Sequence, residues 1–190
     1  MILLMDSAPI KIAVLAGTTR VQRKSIHAAR FVAEMGKQQD NTEIRFGDPA
    51  EFYFPGDGND PEGKDGRYSE LTAWADAFFI VTPEYNHSFP GTLKRMLDSE
   101  LQNYIHKPVA FAGASSGRMG GVRAVESLVN AVREMGLVAC FTDVYFANVQ
   151  DVFNDSGELQ EEFYKEAVTK AYAELIWMAK TLRYGRENTR

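Results

Sequence analysis

The sequence has little of what many catalytic and structural frameworks need. Its 190 residues include a single cysteine, Cys140, and only three histidines. One cysteine excludes an intramolecular disulfide framework and a metal cluster held by thiolates alone. Cys140 lies in an apolar stretch, Val-Ala-Cys-Phe, which favours a buried and inert thiol over a nucleophile. We therefore predict neither a metal site nor a catalytic cysteine.

Long apolar runs are also missing. No run approaches the roughly 20 residues of a membrane-spanning helix. The opening MILLMDSAPI has no basic leader and no small-residue cleavage site, so it does not resemble a secretory signal. The net charge of −5 argues against general affinity for nucleic acid or anionic membranes. We expect a cytoplasmic protein with no nucleic-acid or membrane partner.

What the chain does contain is a series of short apolar runs. Residues 11–17, 77–82 and 108–113 are nearly continuous in apolar character, as strands buried on both faces of a parallel sheet are. Residues 43–46 form a shorter, alternating run, which indicates a strand nearer the sheet edge. Residues 138–149 complete a set of five predicted strands.

Five helical patterns alternate with these strands. The first begins at Ser25, whose side chain can cap the helix start, the second begins at Ser69 and the third near Pro90, while the fourth follows the fourth strand. Asp155 and Glu158 have the spacing of a capping pair and predict the start of the last helix. Such alternation predicts right-handed crossovers and a mainly parallel sheet with helices on both faces.

One domain accounts for the whole chain. Apolar residues make up 45% and charged residues 25%, and neither a linker nor a repeat is visible, so we predict a single α/β domain over residues 1–190. Residues 1–9 and 185–190 are expected to be flexible ends. Residues 47–68 hold three prolines and five glycines and predict a long loop, which is functional or mobile. The role of this acidic loop stays open.

Three loops follow buried strands, at the sheet edge where α/β proteins bind ligands. Gly17–Ser25 offers hydroxyls, cations and the N–H groups of a helix start, which suit a phosphate better than a merely solvated turn. It lacks G-x-G-x-x-G, which argues against an adenine-dinucleotide fold. Thr82–Gly91 can present an aromatic ring and an amide to a planar heterocycle, or is simply a rigid turn. Gly113–Gly121 lets backbone approach a ligand, or is a flexible connection.

Four motifs in these loops match one family. They are G-T-T-R…S over Gly17–Ser25, T-P-E-Y-N over Thr82–Asn86, P-G-x-L-K over Pro90–Lys94 and S-x-G…G-G over Ser115–Gly121. Together they resemble the NADPH-dependent FMN reductase family, a flavodoxin-like group that includes quinone, azo-dye and chromate reductases. The resemblance implies a three-layer α/β/α sandwich with a five-stranded parallel sheet in the order 2-1-3-4-5. It also implies bound FMN, NAD(P)H as co-substrate and a homodimer or homotetramer.

The resemblance further implies ten cofactor-binding residues in three groups. The first group would hold the FMN phosphate, the second would line the isoalloxazine ring, and the third would close the flavin edge. The groups are Gly17, Thr18, Arg20 and Ser25; Pro83, Glu84, Tyr85 and Asn86; and Ser115 and Gly117. Because FMN carries the chemistry, no catalytic residue is implied. Arg95 stands where the family commonly has Asn, so the subunit interface is expected to differ.

These implications predict an NAD(P)H oxidoreductase that passes electrons from FMN to a quinone or a similar small acceptor. Two alternatives stay open. The chain could be an FMN-dependent electron carrier that does not oxidise NAD(P)H, although flavodoxin-type carriers usually lack an arginine in the phosphate loop, unlike Arg20. It could also be a non-flavin regulatory or phosphate-binding protein. The sequence does not distinguish NADH from NADPH or identify the acceptor.

Overall fold

A computed structural model of the chain describes residues 8–56, 58 and 60–189. Strands and helices alternate through most of this range. The strands are β1 (Ile10–Ala16), β2 (Thr42–Gly47), β3 (Ala77–Pro83), β4 (Pro108–Ala114), β5 (Val138–Ala139) and β6 (Val144–Phe146). The helices are α1 (Ser25–Lys37), α2 (Gly66–Trp74), α3 (Gly91–Asp98), α4 (Val122–Glu134), α5 (Val149–Val152) and α6 (Phe163–Asn188).

The strands form one parallel sheet in the order β2-β1-β3-β4-β5, with β6 also paired to β4. This confirms the predicted order 2-1-3-4-5 and the edge position of β2. In the register of the central strands, Ala16 lies opposite Val81 and Pro83 lies opposite Ala114. The carboxyl ends of β1, β3 and β4 therefore reach one edge of the sheet together.

The apolar runs form strands because both faces of the sheet are covered. In β1, Ile12 and Val14 pack into the core beneath α1 and α6, while Ala13 and Leu15 pack into the core on the opposite face. Successive side chains of a strand point to opposite faces. Each face is covered by helices, so both sets are apolar and the polar alternation of a half-exposed strand is lost.

The fifth strand differs from its prediction over residues 138–149. It is split into β5 and β6, which pair with the two ends of β4. Between them the chain turns away from the sheet, and the carboxylate of Glu174 accepts hydrogen bonds from the N–H groups of Phe141 (2.6 Å) and Thr142 (2.9 Å). A side chain from α6 thus replaces the neighbouring strand as hydrogen-bond partner.

Two predicted helix starts are also wrong. The second helix begins at Gly66 and not at Ser69, because the Asp65 carboxylate accepts a hydrogen bond from Arg67 N (2.9 Å) and caps it. The last helix begins at Phe163 and is not capped by Asp155 and Glu158. The segment before it forms a turn built on the side chain of Asn154, whose Oδ1 accepts from the N–H groups of Ser156 and Glu158.

The loop over residues 47–68 is not irregular throughout. It contains two short 3-10 turns, Pro49–Glu51 and Pro61–Gly63. Arg95 of α3 donates to the carbonyl oxygens of Gly56 (2.5 Å), Gly58 (2.9 Å) and Gly63 (2.7 Å). The arginine that departs from the family pattern therefore ties this loop to the body of the domain.

The chain ends are only partly described. Residues 1–7 and 190, which belong to the predicted flexible ends, lie outside the described residues. Residues 185–188 are the last part of α6, and the flexibility of that end stays a prediction. Among the described residues, no helix combines the length and apolar character needed to cross a bilayer.

Candidate functional site

The three predicted loops converge at the carboxyl edge of the sheet. They enclose a cleft of about 370 Å³, which we call the FMN cleft. Its lining residues are 18, 20–25, 83–85, 114–116 and 149–150. Residues 18 and 20–25 follow β1, residues 83–85 and 114–116 are at the ends of β3 and β4 and in the loops after them, and residues 149–150 follow β6.

The first loop leaves β1 at Gly17. A Cβ atom added there would lie 2.8 Å from the Cα of Thr82 and 2.9 Å from the carbonyl oxygen of Val81, so only glycine fits without a shift of backbone. Thr18 follows and is buried. Its Oγ1 lies 2.9 Å from the hydroxyl of Tyr85 and accepts a hydrogen bond from Arg20 N (3.3 Å). The threonine hydroxyl thus joins the first loop to the second.

The same loop supplies positive charge and free N–H groups. Arg23 is held in place because it donates to the Thr18 carbonyl and pairs with the carboxylate of Asp48. Within the described part of the chain, the Arg20 side chain has no such carboxylate partner. Of the backbone N–H groups over residues 19–24, only that of Arg20 has an acceptor among the described residues. An anion at this position would therefore meet both cations and N–H donors.

Ser25 has a different role in the helix from the one we predicted. It is the first residue of α1, while Lys24 occupies the N-cap position and no side chain caps the helix. The Ser25 hydroxyl is therefore not consumed by capping and lines the cleft. An uncapped helix start leaves N–H groups available for a ligand.

The second loop is a tight turn after β3. Tyr85 N donates to the Ser88 carbonyl (2.8 Å) and Ser88 N donates to the Tyr85 carbonyl (3.0 Å). Between them, Asn86 and His87 have positive φ angles of 48° and 67°. This conformation turns the chain within two residues, as in type I′ turns, and asparagine tolerates it well. It holds Tyr85 at the cleft and leaves Asn86 and His87 exposed at the tip.

Glu84 joins the second loop to the third. Its N–H donates to the carbonyl of Ala114 (3.2 Å), and its Oε1 accepts from Nε of Arg123 on α4 (2.8 Å). The other carboxylate oxygen, Oε2, is buried and has no hydrogen-bond partner among the described residues. A buried oxygen without a donor is costly, so this atom marks a place where a ligand or solvent donor would be stabilising.

In the third loop, close packing of glycines fixes the backbone in a conformation that leaves several N–H groups without an acceptor. A Cβ at Gly113 would lie 2.5 Å from the Gly120 carbonyl oxygen, and Gly120 and Gly121 have φ angles of 58° and 86°. Ser115 Oγ donates to the Gly117 carbonyl (3.0 Å). Within the described part of the chain, the N–H groups of residues 116–118 have no acceptor, so they are available to a ligand.

One part of the cleft was missed by the sequence analysis. Val149 and Gln150 line it, and they follow β6. This segment is tied to the third loop, because Asn148 N donates to the Gly117 carbonyl (3.1 Å) and Val149 N donates to the Ser115 carbonyl (2.9 Å). The available signal was positional, since the end of any parallel strand in this sheet reaches the same edge.

Seven of the ten predicted residues line the cleft and three do not. The three exceptions lie close by in the same loops: Gly17 lies beneath the first loop, Asn86 is at the exposed tip of the second, and Gly117 is exposed in the third. Gly17 and Asn86 shape the loops, by close approach and by a left-handed turn. The seven lining residues are Thr18, Arg20, Ser25, Pro83, Glu84, Tyr85 and Ser115.

The arrangement fits a phosphorylated flavin. One end has cations, hydroxyls and N–H groups, and the other has an aromatic ring and open backbone, which suits a ligand with a phosphate and a heterocycle. The volume lies within the usual range for small-molecule sites, about 300–1,000 Å³. Within the described residues, no group of three or more His, Cys, Asp or Glu is arranged to hold a metal ion. Burial raises the pKa of the Cys140 thiol to about 12, so it stays protonated.

Comparison of the sequence with known proteins identifies its family. The profile of the family described as NADPH-dependent FMN reductase matches residues 10–151. An NAD(P)H-dependent FMN reductase of Pseudomonas aeruginosa is 30% identical over 122 residues, which are 62% of this chain and 66% of that protein. A quinone reductase of Pseudomonas putida is 26% identical over 158 residues, 80% of this chain and 85% of that protein.

Solved structures show the same architecture. The flavoenzyme NAD(P)H:(acceptor) oxidoreductase FerB of Paracoccus denitrificans superposes with a TM-score of 0.71 at 20% identity, over 90% of this chain and 98% of that one. A flavodoxin of Pseudomonas aeruginosa, in a single-residue variant, gives a TM-score of 0.55 at 16% identity, over 92% and 99% of the two chains. At these identities the likeness concerns the fold, which is that of the flavodoxins.

Proposed function

The chain belongs to the NADPH-dependent FMN reductase family, and from this we propose that it binds FMN in the FMN cleft and transfers electrons from NAD(P)H to a small-molecule acceptor such as a quinone. The observation that carries the proposal is the convergence of three loops, distant in sequence, around one cleft with a cationic end and an aromatic end. One such loop alone would support FMN binding much less strongly, because it would also fit a simple solvated turn.

We assign the phosphate of FMN to the first loop. Thr18, Arg20 and Ser25 would bind it, with Gly17 allowing the loop to pass close over β3. Support comes from the Arg20 guanidinium, which has no carboxylate partner among the described residues, and from the free N–H groups beside it. Charge-assisted hydrogen bonds of this kind are about twice as strong as neutral ones.

We assign the isoalloxazine ring to the second and third loops. Pro83, Glu84 and Tyr85 would line its side, with Asn86 completing the turn, and the backbone around Ser115 and Gly117 would meet its polar edge. In this assignment, the free N–H groups of residues 116–118 would stabilise negative charge on the reduced ring. Preorganised donors of this kind lower the energy of a charged state without further rearrangement.

The residues of this chain bind and orient, and the cofactor performs the redox chemistry. Bound FMN would supply the redox chemistry, namely uptake of a hydride from NAD(P)H and return of electrons to the acceptor. The half-buried Tyr85 would keep water from one side of the ring, and the hydrogen bond between its hydroxyl and Thr18 fixes its orientation. No side chain is required as nucleophile or as acid for the transfer from NAD(P)H, which is consistent with the absence of a triad in the sequence.

The direct test mixes the purified protein with FMN, NADPH and a soluble quinone and follows absorbance at the nicotinamide band. We expect steady NADPH oxidation that depends on FMN and on the quinone. The Arg20→Ala variant should need much more FMN to reach the same rate. Binding of FMN without NADPH oxidation would contradict the proposal and indicate an electron carrier, and failure to bind FMN would indicate a non-flavin protein.

Assembly and location complete the proposal. We propose that the enzyme is a homodimer or homotetramer that works in the cytoplasm, where its co-substrate NAD(P)H is present. The resemblance to the family supports a homo-oligomer, and the side chains of Phe141 and Phe163 are 93% and 59% exposed in the single chain. Light scattering during size-exclusion chromatography gives the mass directly, and a monomer at micromolar concentration would contradict the assembly. Cell fractionation tests the location.

A further inference from the structure

A second cavity opens on the far side of the first loop. Its volume is about 760 Å³, and five basic residues line it: Arg20, Arg23, Lys24, His27 and Arg30. We call it the basic cleft. It shares the lining residues 20–24 with the FMN cleft, so the two cavities adjoin at the phosphate end of the proposed FMN site.

The positive charge of the basic cleft is only partly balanced. Arg23 pairs with the buried Asp48, and Lys24 pairs at 2.9 Å with Asp155, which is fully exposed. Arg20 and Arg30 form no ion pair with any described residue. Among the residues that the structure describes, no acidic residue lines the cavity. A cleft with this balance favours an anionic ligand.

The basic side chains at the start of α1 share one face, where His27 is favoured in its neutral form and Lys24 and Arg30 carry the charge. Lys24, His27 and Arg30 are three residues apart along the start of α1, so they lie on one face of the helix. The pKa of His27 is lowered, first by its partial burial and then by the positive charges of Lys24 and Arg30. The neighbouring Val21, which is 84% exposed, offers apolar surface beside these charges. Charge next to apolar surface suits a nucleotide, which carries phosphate and a base.

We propose that the basic cleft binds the adenylate half of FAD, so that this chain accepts FAD as well as FMN. The inference rests on the proposed function, because the FMN half of FAD would occupy the FMN cleft. The two cavities adjoin as the two halves of FAD do: in FAD the adenylate is joined to the FMN phosphate, and the basic cleft begins at the loop that would bind this phosphate. A nicotinamide co-substrate must instead approach the ring end, near Pro83 and Tyr85.

The test compares the dissociation constants of FMN and FAD, measured by equilibrium dialysis with detection of the flavin absorbance. We expect FAD to bind within about tenfold of FMN. Because one charge-assisted contact is lost, Arg30→Ala should weaken FAD about tenfold and FMN less than about twofold. Arg30 lines the basic cleft but not the FMN cleft, which is why the two flavins should respond differently.

Lys37→Ala is the matched control. Lys37 lies on the same helix and its loss changes the net charge equally, but it pairs with Glu34 at 2.6 Å and does not line the basic cleft. We expect it to leave the affinities for both flavins unchanged. An equal effect of Lys37→Ala and Arg30→Ala on FAD would show that only overall charge matters and would overturn the assignment.

Other results would overturn either the inference about FAD or the proposed function. FAD binding more than about 100-fold weaker than FMN, or an Arg30→Ala variant that weakens both flavins equally, would overturn the inference and leave the proposed function intact. The inference would also be overturned if Arg30→Ala left the FAD affinity unchanged but raised the KM for NADPH and not that for NADH. The basic cleft would then bind the co-substrate and not the flavin. If neither flavin binds, the proposed function itself fails.

Discussion

The two ends of the FMN cleft are built in different ways. At the phosphate end, side chains add to the free N–H groups of the first loop: the Arg20 guanidinium is exposed and has no carboxylate partner among the described residues, and the Thr18 hydroxyl bridges to the next loop. At the ring end, backbone predominates. Tyr85 and Ser88 close a two-residue turn, and Gly113 lets the third loop fold against Gly120.

Because of this difference, the phosphate end mainly determines the affinity for FMN, and the ring end mainly determines the shape of the cleft. Charged side chains supply long-range attraction that salt weakens, and they tolerate small changes in position. Backbone held by close packing does not adjust, because an added atom must displace main chain. We therefore expect substitutions at the phosphate end to change FMN affinity with little loss of stability, and substitutions of closely packed glycines to change both.

The largest effect is expected where the two ends meet, at Gly17. Gly17→Ala places a Cβ 2.8 Å from the Cα of Thr82, so the loop or β3 must shift. We expect unfolding free energy to fall by about 2–3 kcal/mol, as overpacking against backbone does. Chemical denaturation measures this, and FMN affinity should fall as well.

Gly117→Ala is the control for that substitution. A Cβ at Gly117 has no atom within 4 Å, so we expect an unfolding free energy within about 0.5 kcal/mol of the wild type. Equal destabilisation by the two alanines would contradict the view that close approach, and not glycine content, distinguishes the loops.

Arg20→Ala should give the largest change in affinity without a comparable change in stability. Loss of one charge-assisted hydrogen bond to phosphate costs about 2 kcal/mol, or roughly thirtyfold in the FMN dissociation constant. Flavin titration measures it, and the deficit should shrink in high salt because the lost interaction is screened. Arg20→Lys, which keeps the charge but not the fork of donors, should recover part of the affinity. Unchanged FMN affinity in Arg20→Ala would remove the phosphate assignment.

Substitutions of Asn86 test the turn at the ring end, because Asn86 does not line the cleft. Its φ of 48° is unfavourable for residues other than glycine and asparagine, so Asn86→Ala should lower the unfolding free energy by about 1 kcal/mol. Asn86→Gly adopts this conformation freely and should be close to neutral. If the alanine and glycine variants are equally stable, the turn does not depend on its backbone conformation.

The smallest effect is expected from the bond that joins the two ends. Thr18→Val keeps the shape but removes the hydroxyl that lies 2.9 Å from the Tyr85 hydroxyl. We expect a cost of about 0.5–1 kcal/mol in FMN binding, or about threefold. Tyr85→Phe should cost less, because it leaves the Thr18 hydroxyl in place to accept from Arg20 N and to bind the phosphate. The double variant should lose less than the sum, because the two residues share the bond between their hydroxyls. Strict additivity would show that the two ends are independent.

Much of the fold could be predicted because it depends on local pattern. The continuous apolar runs became β1, β3 and β4, and alternation with helices implied a parallel sheet, while the strand order came from the family resemblance. The two wrong helix starts were set by nearby side chains, those of Asp65 and Asn154, whereas the error in the fifth strand lies where a distant side chain decides. Residues 138–149 split into two strands because Glu174, on α6, accepts the N–H groups of Phe141 and Thr142.

The site shows the same division. Strand ends followed by glycines, hydroxyls and cations were enough to choose the three loops, and the family motifs chose ten residues within them. The motifs did not show that Ser25 would leave the capping role, or that Arg95 would bind the loop over residues 47–68. Both facts depend on how one segment lies against another.

By itself, the sequence determined which segments are buried and which carry cations, hydroxyls and glycines, because burial and charge follow directly from composition and spacing. The tertiary structure alone decided which of these groups meet. It brought Thr18 to Tyr85 and Val149 to Ser115, and it placed a second cavity behind the first loop. The physical reason is that contacts between distant segments depend on the relative position of whole strands and helices, which no local pattern encodes.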